Sequence, residues 1–132
     1  MKQLHFQPIE GKSIEIIETI AQTEELASLD PDMWRAIRVV IEELVLNIVS
    51  YSGSDYIDFE IQGEEDGYTM RFRDGGVPFN PLEREMPDVT LPIEQRQIGG
   101  LGIFMVIHMM DTVEYAYVNG ENVLTTTLRH KK

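Results

Sequence analysis

The tightest constraint on this chain is a helix whose start is spelled out by two residues. Asp30-Pro31 puts a capping carboxylate ahead of a proline, and at the first helical position the missing proline N–H would lack a partner anyway. The periodic run that follows predicts a helix over residues 31–50, ending before Ser52-Gly53-Ser54. Trp34, Ile37, Ile41, Leu44, Val45 and Ile48 make its apolar stripe, while Arg35, Arg38 and Glu42 make a solvated face. An apolar stripe needs a surface to cover, and the flanking segments supply one as strands.

Before that helix, residues 4–6 read as a short strand. Ser13 reads as the N-cap of a helix carrying Ile14, Ile17, Ile20, Ala21 and Leu26, which stops near Ser28-Leu29. After it, Ile57, Phe59 and Ile61 alternate in a strand over 56–62, and Tyr68, Met70 and Phe72 in one over 68–73, with a hairpin at 63–67. Residues 74–98 carry Gly/Pro-rich turns and no clear period, so they read as a long loop, with a lid over about 80–98. Gly99-Gly100-Leu101-Gly102 opens an apolar helix reaching about Met110. Strands over 113–118 and 122–128 then meet at Asn119-Gly120, a strong two-residue hairpin signal. The order β-α-α-β-β-loop-α-β-β predicts an α+β fold: a two-layer sandwich with a mixed, mostly antiparallel sheet against about three helices. Residues 1–132 are expected to form one domain.

Charge and cysteine content narrow the function. Eleven Lys+Arg against 23 Asp+Glu leave a net charge of −12. Such a surface repels phosphate backbones and anionic lipid, so no direct nucleic-acid partner and no membrane are expected. Small anionic ligands remain possible where local dipoles or a few cations override the field. There is no cysteine, which excludes disulfides, thiolate nucleophiles and Cys-ligated metals. His5, His108 and His130 lie far apart in sequence, without metal-ligand spacing. The first residues lack the apolar run of a signal peptide, and no stretch approaches the roughly 18 apolar residues of a membrane span, so a cytoplasmic protein is expected.

Three places break the pattern. Glu43 and Asn47 belong to neither face of the 31–50 helix; four residues apart, they stack beside Ala36 and Val40 and suggest a pocket wall. Asp74-Gly75-Gly76-Val77-Pro78-Phe79 follows a strand directly: a carboxylate there can accept from an amine, and glycines let backbone approach a flat ligand. Gly99-Gly100-Leu101-Gly102 leads into a helix N-terminus, whose free N–H groups and dipole suit phosphate. It is neither a Rossmann fingerprint nor a P-loop, since Met105 stands where the last glycine would fall and no Gly-Lys-Ser/Thr follows. Taken singly, each has a plain explanation: an exposed polar pair near a helix end, a tight turn, a loose helix start.

Together and in this order, they resemble the GHKL (Bergerat) ATP-binding fold over about residues 13–128. Ile98-Gly99-Gly100-Leu101-Gly102-Ile103-Phe104, continuing through Met109-Met110-Asp111, is similar to the compact anti-sigma-factor serine/threonine kinases of bacterial partner-switching systems. The resemblance implies ATP and Mg²⁺ as cofactors, with Asn47 as the magnesium ligand and Glu43 as general base. It also implies that Asp74 accepts from the adenine amine and that Gly76 leaves room for the base. Gly100, Leu101 and Gly102 would bring backbone to the phosphates, and Arg84 and Arg96 of the lid would counter γ-phosphate charge. Members often carry a basic residue about four positions after the asparagine, where this chain has Tyr51. The implied function is phosphorylation of a STAS-type anti-sigma-factor antagonist by a protein that also binds a sigma factor and could form a homodimer. The alternative is a nucleotide-responsive binding module with little or no phosphoryl transfer.

Overall fold

The computed structural model describes residues 1–83 and 100–129. Strand β1 (Lys2–Phe6) is followed by helices α1 (Ser13–Ala21), α2 (Glu24–Ala27) and α3 (Pro31–Asn47), the last running into a π-helical turn at Ile48–Ser52. Strands β2 (Ile57–Glu64) and β3 (Gly67–Asp74) come next, then a short 3₁₀ turn at Pro81–Glu83. Helix α4 (Gly100–Met109) and strands β4 (Thr112–Val118) and β5 (Glu121–Arg129) complete the described chain.

The start of α3 is as its sequence requires: Pro31 is the first helical residue, and the Asp30 carboxylate accepts from the Met33 N–H at 3.0 Å. Ile37, Val40, Ile41, Leu44 and Val45 are buried along it. The preceding helix differs from expectation. Ser13 is its first residue rather than its cap, and Ile16 is buried where Ile14 points to solvent, 77% exposed. It also ends early, because the Thr23 hydroxyl turns back onto the Ile20 carbonyl at 2.9 Å and α2 starts afresh at Glu24.

The sheet order is β1-β2-β3-β5-β4, and each neighbouring pair is antiparallel, so the described sheet is antiparallel rather than mixed. Its inner face, with Ile57, Phe59, Ile61, Met70, Phe72 and Leu124, packs into one core with the buried side of the helices. Phe59 and Phe72 are directly paired across β2 and β3 and meet edge to face, centroids 5.0 Å apart. The Asn119-Gly120 turn has both residues at positive φ, 53° and 79°, as a tight hairpin of this type needs. That turn fixes the β4–β5 register. The β3–β5 register in turn sets Asp74 opposite Asn122. None of the described helices is long and apolar enough to cross a membrane.

Candidate functional site

Two polar residues that a core would ordinarily exclude lie buried where β3 and α3 end. Asp74 closes β3 and is 3% exposed; Asn47 closes α3 and is 6% exposed. Both line one cleft with about 360 Å³ of empty space, part of it open to solvent. Leu44 and Ile48 supply an apolar wall from the helical side, and Phe72 and Leu124 one from the sheet. A mostly apolar slot with a buried carboxylate in its lining suits an aromatic ring that carries a hydrogen-bond donor.

Burial raises the Asp74 pKa above the ordinary carboxylate range, and hydrogen bonds oppose that rise. The Asn122 amide donates to Asp74 Oδ1 at 3.0 Å, the Gly76 N–H donates at the same distance, and Ser52 adds a side-chain hydrogen bond. On the helical wall, Asn47 Nδ2 donates to Glu43 Oε1 at 3.2 Å, which orients the amide. Glu43 is half-buried one turn back along α3 and does not line the cleft itself.

Gly76 has a structural reason the sequence did not disclose. A Cβ there would lie 2.0 Å from the Ser52 carbonyl oxygen, and the next residue, Val77, donates its N–H to that oxygen at 2.8 Å. The exit from β3 is thus laid directly on the π-helical turn that follows Asn47. Turns of this kind inside helices are often found at functional sites. Here it carries Ile48 and Ser52 to the cleft and Tyr51 onto Phe79, rings stacked 5.4 Å apart.

Of the residues singled out from the sequence, the structure brings Asn47 and Asp74 to one cleft, ties Glu43 to Asn47, and sets Gly76 beside Asp74. Gly100, Leu101 and Gly102 are the first three residues of α4, which packs on α3. Arg84 and Arg96, and with them most of the expected 80–98 lid, lie outside the described residues. Sequence reasoning missed Asn122 and Tyr115. Asn122 was visible in principle: strand alternation sets it on the same face as Leu124 and Thr126, and an amide on a core face needs a reason. Among the described residues no group of His, Asp and Glu forms a metal cage made of protein alone.

A β-strand aspartate facing a helix-end asparagine across an apolar slot, with a second helix opening on glycines, defines a class of nucleotide domain. The chain belongs to the histidine kinase-like ATPase domain family, which it matches over residues 12–128, and the GHKL resemblance drawn from its motifs holds. ATP is therefore the ligand that its class of domain takes. It is 30% identical over 104 residues to the serine-protein kinase RsbW of Listeria monocytogenes serovar 1/2a, and 29% identical over 104 residues to that of Listeria innocua serovar 6a. Each alignment covers 73% of this chain and 66% of the relative, so the chain spans just under two thirds of the length of these curated relatives. In fold it is similar to the Acinetobacter baumannii histidine kinase AdeS, with a TM-score of 0.56 at 14% identity, over all of this chain and 69% of that one.

Proposed function

We propose that this chain is an ATP-dependent protein serine/threonine kinase that holds a sigma factor and phosphorylates a serine or threonine of a STAS-type antagonist in the cytoplasm. Residues 1–132 would act as one nucleotide domain, alone or as a homodimer, with no direct contact to nucleic acid or membrane. The observation that carries the reading is the cleft bounded by buried Asp74 and buried Asn47, with Glu43 bonded to Asn47.

The residues suit the group they would hold. Asp74 is an acceptor at the end of an apolar slot, which selects a base with an exocyclic amine over one with a carbonyl there. Gly76 keeps that strand end in place. Asn47 Oδ1 is a hard neutral oxygen of the kind Mg²⁺ accepts alongside phosphate oxygens and water. Bound there, the ion would neutralise phosphate charge as it develops. The N–H groups of Gly100, Leu101 and Gly102, which have no partner within α4, would meet phosphate oxygens, and Arg84 and Arg96 would offset charge on the γ-phosphate.

Glu43 supplies the base. In the transfer, the substrate hydroxyl oxygen forms a bond to the γ-phosphorus, the bond from that phosphorus to the bridging oxygen breaks, and ADP departs. The hydroxyl proton goes to the Glu43 carboxylate. Asn47 holds that carboxylate in place through its Nδ2. The phosphorylated product gains about −1.5 to −2 charge, which a surface of net charge −12 repels, favouring release.

The test is incubation of wild type and Glu43→Ala with labelled ATP, Mg²⁺ and the STAS-type proteins encoded nearby. Wild type is expected to label such a protein, and Glu43→Ala to keep MgATP binding while losing transfer. Equal labelling by the variant removes Glu43 as base. Binding of nucleotide and partner without any label would favour a nucleotide-responsive binding module over a kinase.

A further inference from the structure

Asn122 sits at the start of β5, 5% exposed, and each of its hydrogen-bonding positions is taken. Nδ2 donates to Asp74 Oδ1 at 3.0 Å and to the Val77 carbonyl at 2.7 Å. Oδ1 accepts from the Phe79 N–H at 2.9 Å and from the Tyr115 hydroxyl. A primary amide has two N–H donors and two acceptor lone pairs, so nothing of Asn122 is left over for a ligand. Turning the amide over would set its donors against the Phe79 N–H and its oxygen against the Asp74 carboxylate. Only one orientation satisfies the surroundings.

We propose that Asn122, braced by Tyr115, is a positioning residue that locks the Asp74 carboxylate and the 77–79 backbone into one unit and so keeps Asp74 an aimed, ionised acceptor. The proposal rests on the reading of Asp74 as the acceptor for the adenine amine. Asn122 acts through its neighbours. It ties down the base-reading carboxylate and, through Phe79, the ring that stacks on Tyr51 at the cleft margin. Among the described residues, the 77–79 wall of the slot and its buried carboxylate are then held by a single side chain.

Among the described residues, three titratable groups interact with the Asp74 charge. Glu121, on β5 beside Asn122, adds a like charge that raises the Asp74 pKa. Tyr115 of β4 and Tyr56 ahead of β2 feel the Asp74 charge; burial raises the Tyr115 pKa, and a hydrogen bond to Glu121 pushes Tyr56 up to about 12, so both are neutral across the working range. From α3 and its π-helical turn, the residues facing the cleft are Leu44, Asn47, Ile48 and Ser52, all uncharged. Among the described residues lining the slot, Asp74 is therefore the group whose protonation acid would drive.

The experiment is calorimetric titration with ATP and Mg²⁺ from pH 5 to 8 on wild type, Asn122→Ala, Tyr115→Phe and Asp74→Asn. Protonation of ATP itself is common to all four and cancels between them. In wild type the affinity is expected to fall as acid protonates Asp74. Loss of a hydrogen bond to a carboxylate moves that acid limb upward in Asn122→Ala by roughly one to two pH units. Tyr115→Phe, which keeps the Asn122–Asp74 bond and swaps one buried hydroxyl for hydrogen, moves it the same way by less, and serves if Asn122→Ala does not fold. A purely structural role would weaken binding at every pH and leave the limb in place, and that result overturns the proposal. Asp74→Asn separates the two readings. If it weakens ATP at least tenfold while the limb stays fixed in the Asn122 and Tyr115 variants, the adenine site stands and the positioning role falls. If it binds ATP as wild type does, with the limb unchanged, the adenine site fails and the proposal fails with it.

Discussion

Gly75 and Gly76 are adjacent, and substitution should show that they do different things. A Cβ on Gly76 would press on the Ser52 carbonyl oxygen at 2.0 Å and its carbon at 2.5 Å, both backbone atoms of the π-helical turn. The three atoms nearest to a Cβ on Gly75 all belong to the far end of the Tyr56 side chain, 2.7 Å away at the closest, and a side-chain end gives way more readily than backbone. Gly76→Ala is therefore expected to cost about 1–3 kcal/mol in urea unfolding, the usual penalty of overpacking, and to loosen the Asp74 end of the slot. Gly75→Ala should cost clearly less. Equal losses from the two would mean that the Ser52 contact does not govern this site. The same residues show what a sequence can and cannot disclose. Asp74 at a strand exit, and Glu43 and Asn47 off the helix stripe, were legible because each departs from a local period. The true neighbour of Gly76 was not, since Ser52 approaches it across a turn that no local pattern announces. Alternation alone marks Asn122 as an amide on a core face, but its purpose exists only once the β3–β5 register sets it opposite Asp74.

At the scale of elements, legibility followed the same division. The start of α3 was clear from two residues, as capping is chemistry between near neighbours, and the β4–β5 hairpin from another two. The Asp30 cap should count: with no carboxylate to accept the Met33 N–H, Asp30→Ala is expected to cost about 1 kcal/mol and lower the melting temperature by roughly 4 °C. An unchanged melting curve would show that Pro31 alone fixes the start. The π-helical extension was not legible, because Ile48–Ser52 continues the apolar run of α3 and its geometry is tied to the β3 exit through Ser52. Edge strand β1 carries a pH-dependent contact. His5 pairs with Asp58 of β2, and its hydrogen bond to that carboxylate, with a second donated to the Gln7 amide oxygen, raises the His5 pKa. The folded pKa lies above the unfolded value near 6.5, so this support is complete below pH 6.5 and is lost as pH rises through the folded pKa. Amide exchange in Lys2–Phe6, corrected for its intrinsic pH dependence, is expected to speed up across that window in wild type and not in His5→Gln. The same acceleration in both would assign it to fraying of an edge strand.

For the molecule as a whole, the main electrostatic difficulty is that a chain of net charge −12 must take up a polyanionic nucleotide. Long-range steering works against ATP, so its binding has to come from short-range groups; those proposed are the helix-start N–H groups, the apolar slot and a shared cation. The cation's share can be isolated. A ligand that binds only the folded state adds about 2.7 kcal/mol at a hundredfold excess over its dissociation constant, and the melting temperature reports this directly. With ATP and Mg²⁺, wild type should show such a rise, and adding EDTA should remove most of it. Asn47→Ala loses the amide oxygen proposed to hold the ion, so its smaller rise should change little when EDTA is added. The double comparison matters because Asn47 also holds Glu43 and is buried, and the substitution will lower the starting stability on that ground alone. The difference made by EDTA is insensitive to that loss. If EDTA removes as much stabilisation from Asn47→Ala as from wild type, the ion is held by phosphate and water without this asparagine, and the helix-end amide has its role in orienting Glu43 alone.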